Sequence, residues 1–143
     1  PAKTAETRNA LGWTTLGDIG RMDEQGYLYL VDRKSFMIIS GGINIYPQEI
    51  EAVLIGHPLV MDVAVFGIPN LDFGEEVKAV VQLVKEQAGN ESVAAELIAY
   101  CRERLADFKC PRSIDFALEL PRHPTGKLYK KILRDRYWPA ASA

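Results

Sequence analysis

Asp32-Arg33-Lys34-Ser35-Phe36-Met37-Ile38-Ile39-Ser40-Gly41-Gly42-Ile43-Asn44-Ile45-Tyr46-Pro47-Gln48-Glu49-Ile50-Glu51 holds three physical units in succession. A charged turn, Asp32 to Ser35, interrupts the apolar pattern that precedes it. Phe36 to Ile39 reads as a short apolar strand, and Ser40-Gly41-Gly42 as a loop between that strand and a helix. Two adjacent glycines permit positive φ and let a backbone or a ligand come close. Pro47 opens the helix, with Glu49 and Glu51 in its first turn, where the positive end of the helix dipole favours carboxylates.

The chain around this stretch has the totals of one ordinary domain with a possible appendage. Its 143 residues are 48% hydrophobic and 25% charged, enough for a packed core and against disorder. A formal net charge of −2 argues against a nucleic-acid or membrane-surface binder. Two cysteines, Cys101 and Cys110, have no metal-ligand spacing and suggest a reducing, cytoplasmic compartment. No apolar run approaches the ~20 residues of a membrane span. The chain begins with Pro1, so a piece of a longer protein is expected, and its start is no guide to targeting.

Residues 1 to 11 are polar and aperiodic, as in a loose tail. Ile19 to Val31 reads as a β-hairpin turning at Asp23 to Gly26. Such a pair buries little by itself and expects a partner. Pro47 to Ile55 is an amphipathic helix with Ile50, Val53 and Leu54 inward and Gly56 at its end. Val60 to Gly67 is a strand, Ile68 to Gly74 a loop, and Glu76 to Lys85 a strand apolar enough to be covered on both faces. Gln87 to Asn90 turns into a helix from Ser92 to Ala106, whose stripe is Val93, Leu97, Ile98, Cys101 and Leu105. After a connector come a strand from Ser113 to Leu118, a Pro-containing loop from Leu120 to Gly126, and a basic helix from Lys127 to Tyr137. The fold class is α+β: a mixed sheet with helices packed on it, preceded by a β-hairpin.

The string from Asp32 to Glu51 resembles the hinge-and-glycine-loop motif of acyl-CoA synthetases, the fatty-acid–CoA ligase branch of the adenylate-forming enzymes. Two further motifs match in order, so the resemblance spans residues 12 to 136 and corresponds to the last quarter of such an enzyme. It implies a C-terminal domain of an AMP-forming acid–thiol ligase that activates a carboxylic acid, of the fatty-acid type, as acyl-adenylate and passes it to CoA. It implies ATP and CoA as co-substrates, and Mg2+ held by a large N-terminal domain. Residues 1–33 would be the edge of that domain, and 34–143 a C-terminal lid. Its partners would be that N-terminal adenylation domain and a small carboxylic acid, with no nucleic acid and no transmembrane segment. The chain alone is expected to be inactive.

The resemblance also assigns residues. Asp18, in Thr15-Leu16-Gly17-Asp18, falls where the family's Thr-Gly-Asp carboxylate accepts the ribose hydroxyls of ATP. Without the resemblance, Gly17-Asp18 is simply a turn. Arg33 would contact ribose or phosphate, a use suited to the guanidinium fork. The pivot of the lid falls at Lys34 or Ser35, where a hinge needs only freedom in φ and ψ. Ser40, Gly41 and Gly42 would present bare backbone to the pantetheine arm of CoA. Lys127, in Pro124-Thr125-Gly126-Lys127, falls at the family's catalytic lysine, which bridges the acyl carboxylate and the α-phosphate in adenylation. On composition alone it would be the first residue of a solvated basic helix. Phe108 and Lys109, with Phe73 from a neighbouring loop, would border the CoA nucleotide; Phe108 could equally be a core plug. Cys101 reads as core, and Cys110 has no partner base that would make it a nucleophile.

Other readings are an adenylation domain of a peptide synthetase, a luciferase-like enzyme, or a non-catalytic CoA- or nucleotide-binding module. The blandest is an α+β domain whose last helix is merely solvated. The Ile-Ile-Ser-Gly-Gly-Ile-Asn-Ile-Tyr-Pro string favours the CoA ligases.

Overall fold

The computed structural model describes residues 8–84 and 88–138. Strands β1 (Asp18–Met22) and β2 (Leu28–Arg33) form an antiparallel hairpin, with Gly26 at φ 86° closing the turn. Then follow β3 (Ile38–Ser40), β4 (Ile43–Ile45) and helix α1 (Pro47–Ile55). The long strands β5 (Val60–Asn70) and β6 (Gly74–Leu83) come next, then α2 (Glu91–Arg102), β7 (Ser113–Phe116) and α3 (Lys130–Asp135). The second sheet has the order β4-β3-β6-β5, with β7 added parallel to β6. It is mixed, as expected.

β6 is covered on both faces, because its side chains alternate into two cores. Val77, Ala79 and Val81 face α1 and α2 together with Val63 and Val65 of β5. Val80 faces the other way, with Ala64, Phe66, Leu120 and Leu133 of the C-terminal segment. Burying each Leu, Ile or Val contributes about 1.5–3 kcal/mol, so this double burial makes β6 the spine of the domain. Cys101 is fully buried on the α2 stripe beside Val93 and Leu97, as its spacing predicted.

Several boundaries differ from the sequence reading. Ser40-Gly41-Gly42 is not a strand-to-helix loop. Ser40 ends β3, and Gly41 and Gly42 make a two-residue hairpin turn into β4, with φ of 56° and 80°. Turns with both central residues at positive φ match the twist of the flanking strands and strongly favour glycine. β5 and β6 extend to Asn70 and Gly74, so the expected long loop is a tight turn at 71–73. There the Asn70 Oδ1 accepts from the backbones of Asp72 and Phe73. Gly56 caps α1 in right-handed geometry (φ −74°), so its freedom at positive φ is not used. The last helix starts at Lys130, because the residues before it are held in an extended bridge between Arg122 and Leu128. Residues 8–11 of the expected tail belong to a turn closed by an Arg8–Thr14 bridge. Residues 1–7, Lys85 and Gln87 lie outside the described residues.

Candidate active site

Asp18 and Arg33 are direct cross-strand partners in the hairpin, so the two residues expected at the nucleotide share one rung of β1–β2. Asp18 is exposed; the side chain of Arg33 lies outside what the structure describes. Next to this rung the Lys34 amide donates to Gly17 O at 2.8 Å. Lys34 and Ser35 form the exposed turn that leads from hairpin to sheet.

Lys127 sits in a built loop. The His123 amide donates to Lys127 O at 2.8 Å, and Gly126, at φ 84°, donates to His123 O at 2.8 Å. Arg122 braces the loop twice, with one nitrogen on Gly126 O at 2.7 Å and another on the Asp62 carboxylate. The His123 ring stacks on Tyr129 with centroids 3.9 Å apart. The lysine side chain itself is exposed to solvent. Arg122 was not singled out in the sequence, although it stands inside the Pro-Arg-His-Pro-Thr-Gly-Lys string.

A cleft of about 190 Å³ gathers Ser40, Gly41, Phe73, Phe108, Cys110 and Arg112. Four of the six expected CoA contacts thus share one wall. Gly42 is exposed on the turn beside them, outside the cleft lining. Lys109 points elsewhere: its ammonium lies 2.8 Å from both carboxylate oxygens of Glu49 in the first turn of α1. The cationic group in the cleft wall is instead Arg112, whose guanidinium stacks 4.4 Å from the Phe73 ring. Phe108 is half-exposed at the cleft and is no core plug. Burial pushes the Cys110 thiol up, with the nearby Asp107 charge adding to it, the opposite of what a nucleophile needs.

The two regions are separated by the spine. The glycine turn joins β6 at Gly74, through the Ser40–Gly74 pair and a bond from Gly41 N to Phe73 O. The Lys127 loop is anchored at the other end, where the Leu120 amide donates to Gln82 and Arg122 meets Asp62, the cross-strand partner of Gln82. From Gly74 to Gln82 the strand rises roughly 26 Å at about 3.3 Å per residue.

Residues 49–127 match the family described as the AMP-binding enzyme C-terminal domain. The chain belongs to that family. The match covers more than half of its residues and runs from the first turn of α1 to Lys127. A long-chain-fatty-acid–CoA ligase of Mycobacterium tuberculosis, FadD13, is 49% identical over 133 residues, 92% of this chain and 26% of that protein. The chain therefore spans about a quarter of the length of the curated relatives it matches, here 26%. Among solved structures, ATP-bound MatB from Rhodopseudomonas palustris is 37% identical, with a TM-score of 0.85 over 96% of this chain and 27% of that one. Apo MatB from the same organism covers the same shares at 38% identity with a TM-score of 0.71. This chain therefore superposes better on the ATP-bound form than on the apo form. Its described helices include none long and apolar enough to cross a membrane.

Proposed function

We propose that this chain is the C-terminal lid of an ATP-dependent, AMP-forming acyl-CoA synthetase acting on a carboxylic acid of the fatty-acid type. One observation carries the reading: the exposed Lys127 and the exposed Gly41-Gly42 turn are fixed at opposite ends of one rigid strand pair. A single domain can then offer an ammonium to one half-reaction and bare backbone to the other, by turning rather than by refolding.

In the first half-reaction a carboxylate oxygen attacks the α-phosphorus of ATP and pyrophosphate leaves. Lys127 would stand where negative charge builds on the attacking and phosphoryl oxygens. Asp18 would accept hydrogen bonds from the ribose hydroxyls, with Arg33 beside it. In the second, the lid pivots near Lys34 and Ser35, and the CoA thiol attacks the acyl carbonyl as AMP leaves. The cleft of Ser40, Gly41, Phe73 and Phe108 would guide CoA, with Arg112, rather than Lys109, as its cation. Magnesium would be held by the large N-terminal domain. Residues 1–33 would belong to the large N-terminal domain. The exposed Trp13, Leu16, Leu28 and Leu30 support a covering partner there. A cytoplasmic setting fits the two free, buried thiols.

The test is Lys127→Ala in the full-length protein. ATP–pyrophosphate exchange should fall by roughly 10²–10³-fold, while thioester formation from supplied acyl-adenylate persists. Equal loss of both steps would refute the two-ended model. Pyrophosphate exchange by the 143-residue chain alone, above a Lys127→Ala control, would refute the need for a larger partner domain.

A further inference from the structure

The pivot can be bracketed by hydrogen bonds. The last backbone tie to the hairpin is the Lys34 amide on Gly17 O at 2.8 Å. The first tie to the lobe is Ser35 O, which accepts from Arg134 Nη1 of α3 at 3.1 Å. Only the torsions of Lys34 and Ser35 lie between these two anchors. Beyond them the chain is clamped: the Phe36 ring lies 5.4 Å from Lys130 Nζ and 6.0 Å from the Arg134 guanidinium. Lys130 is held in turn by Glu51 at 2.7 Å, and Glu51 accepts the edge amide of Val65 at 2.7 Å. Both candidate hinge residues are therefore used, as one two-residue joint.

A side-chain bond from Asp32 crosses this joint. Asp32 belongs to the hairpin, where it pairs with Ile19, and it is only 5% exposed. Its Oδ2 accepts from the Gln48 amide of α1, on the lobe, at 3.1 Å. That amide is one of the orphan donors of a helix start, and Tyr46, the residue before the helix, supplies no side-chain cap. A carboxylate there also meets the positive end of the helix dipole. A turn of the lobe about Lys34 and Ser35 must pull Gln48 away from Asp32, because the two anchors move with different bodies.

We propose that Asp32 is a positioning residue: a latch across the two-residue joint that holds the lid in its present orientation, the one nearer the ATP-bound shape described above. This rests on the lid reading and adds to it a group that sets the balance between the half-reactions without touching substrate. Loss of a capping bond of this kind shifts an equilibrium by roughly 3- to 30-fold.

The experiment compares Asp32→Ala and Asp32→Asn in the full-length protein. Asn keeps an acceptor of the same shape. Asp32→Ala should lower ATP–pyrophosphate exchange by roughly 3- to 30-fold while thioester formation from supplied acyl-adenylate holds or rises, with Asp32→Asn in between. Hydrogen exchange at the Gln48 amide should speed up in Asp32→Ala, and melting should show both variants folded. A parallel fall of both half-reactions, or no change in their ratio, overturns the latch, as does unchanged protection at Gln48. A wild-type protein that performs neither half-reaction overturns the ligase reading instead, and the Gln48 exchange then decides the latch separately.

Discussion

Replacing Gly41 or Gly42 by alanine imposes the same backbone penalty in two different surroundings. Both residues sit at positive φ, 56° and 80°, where an L side chain costs about 1–2 kcal/mol. A Cβ on Gly42 would meet nothing within 4 Å, so its cost is the backbone term alone. A Cβ on Gly41 would lie 3.3 Å from Phe73 Cδ1. That contact is tight, and the ring, 41% exposed, can give way by a few tenths of an ångström. The two variants should therefore lose nearly equal stability, about 1 kcal/mol each, or about 3 °C in melting temperature for a domain of this size. Their effects on the cleft should differ. Gly41→Ala pushes Phe73, which lines the cleft and carries the Arg112 guanidinium; Gly42→Ala leaves the lining alone. Thermal melts of the 143-residue chain read the first expectation. Half-reaction kinetics of the full-length protein read the second: a rise in KM for CoA of roughly tenfold in Gly41→Ala, little change in Gly42→Ala, and adenylation spared in both. If neither variant loses stability, the strain argument fails. If Gly42→Ala is the more impaired toward CoA, the cleft is not where CoA passes.

Two more expectations concern the face opposite α1 and α2. Lys78 is buried, 2.6 Å from Asp115, while Asp115 keeps nearly half its side chain in water. Asp115→Ala strands a buried ammonium and should cost about 3 kcal/mol, whereas Lys78→Met replaces the charge with apolar volume and should cost clearly less; denaturant melts giving the reverse order would refute this. The Tyr137 hydroxyl, 2.5 Å from Asp115, is pushed up to about 12 by burial and then by its bond to that carboxylate and the carboxylate's charge. Because the folded state holds this proton more tightly, the contribution is intact below about pH 10, the ordinary tyrosine value, and is lost as pH rises through about 12. Tyr137→Phe should remove a late-titrating step from the tyrosinate absorbance; an unchanged titration curve would refute the assignment.

Much of the lobe was legible because its signals are local. Pro47 with Glu49 marks the start of α1, the Val93–Leu97–Cys101 stripe marks α2, and the nearly all-apolar run of β6 from Val77 foretells cover on both faces. The missed strand β4 is short, and its three residues, Ile43-Asn44-Ile45, follow two glycines that read equally well as a loop. What defines it is pairing with β3, a tertiary fact. Only the resemblance places Lys109 on the CoA side. Its actual partner, Glu49, is 60 residues away in sequence, and nothing local announces it. The same holds for Asp32 and Gln48: the stretch that carries both was read as a turn and a helix start, and only the fold of β3 and β4 between them brings carboxylate to amide.

On the proposed reading, the geometry of β6 would let one small domain serve two chemical steps without a flexible core. Moving a catalytic group by internal rearrangement would break contacts on both faces of the strand, and close-packed interiors resist such change. Rotation about the two residues between the Gly17 and Arg134 anchors leaves every contact of Val77, Ala79, Val80 and Val81 intact. The contacts at risk are those that bridge hairpin and lobe, among them the bond from Gln48 to Asp32. On that reading, sequence changes that shift the balance between the two half-reactions should fall at this crossing and at the two ends of β6. Substitutions along the middle of the strand should change stability and affect both steps alike. A mid-strand variant such as Val80→Ala that altered the ratio of the two half-reactions, with its melting loss accounted for, would show that the spine itself deforms during the cycle.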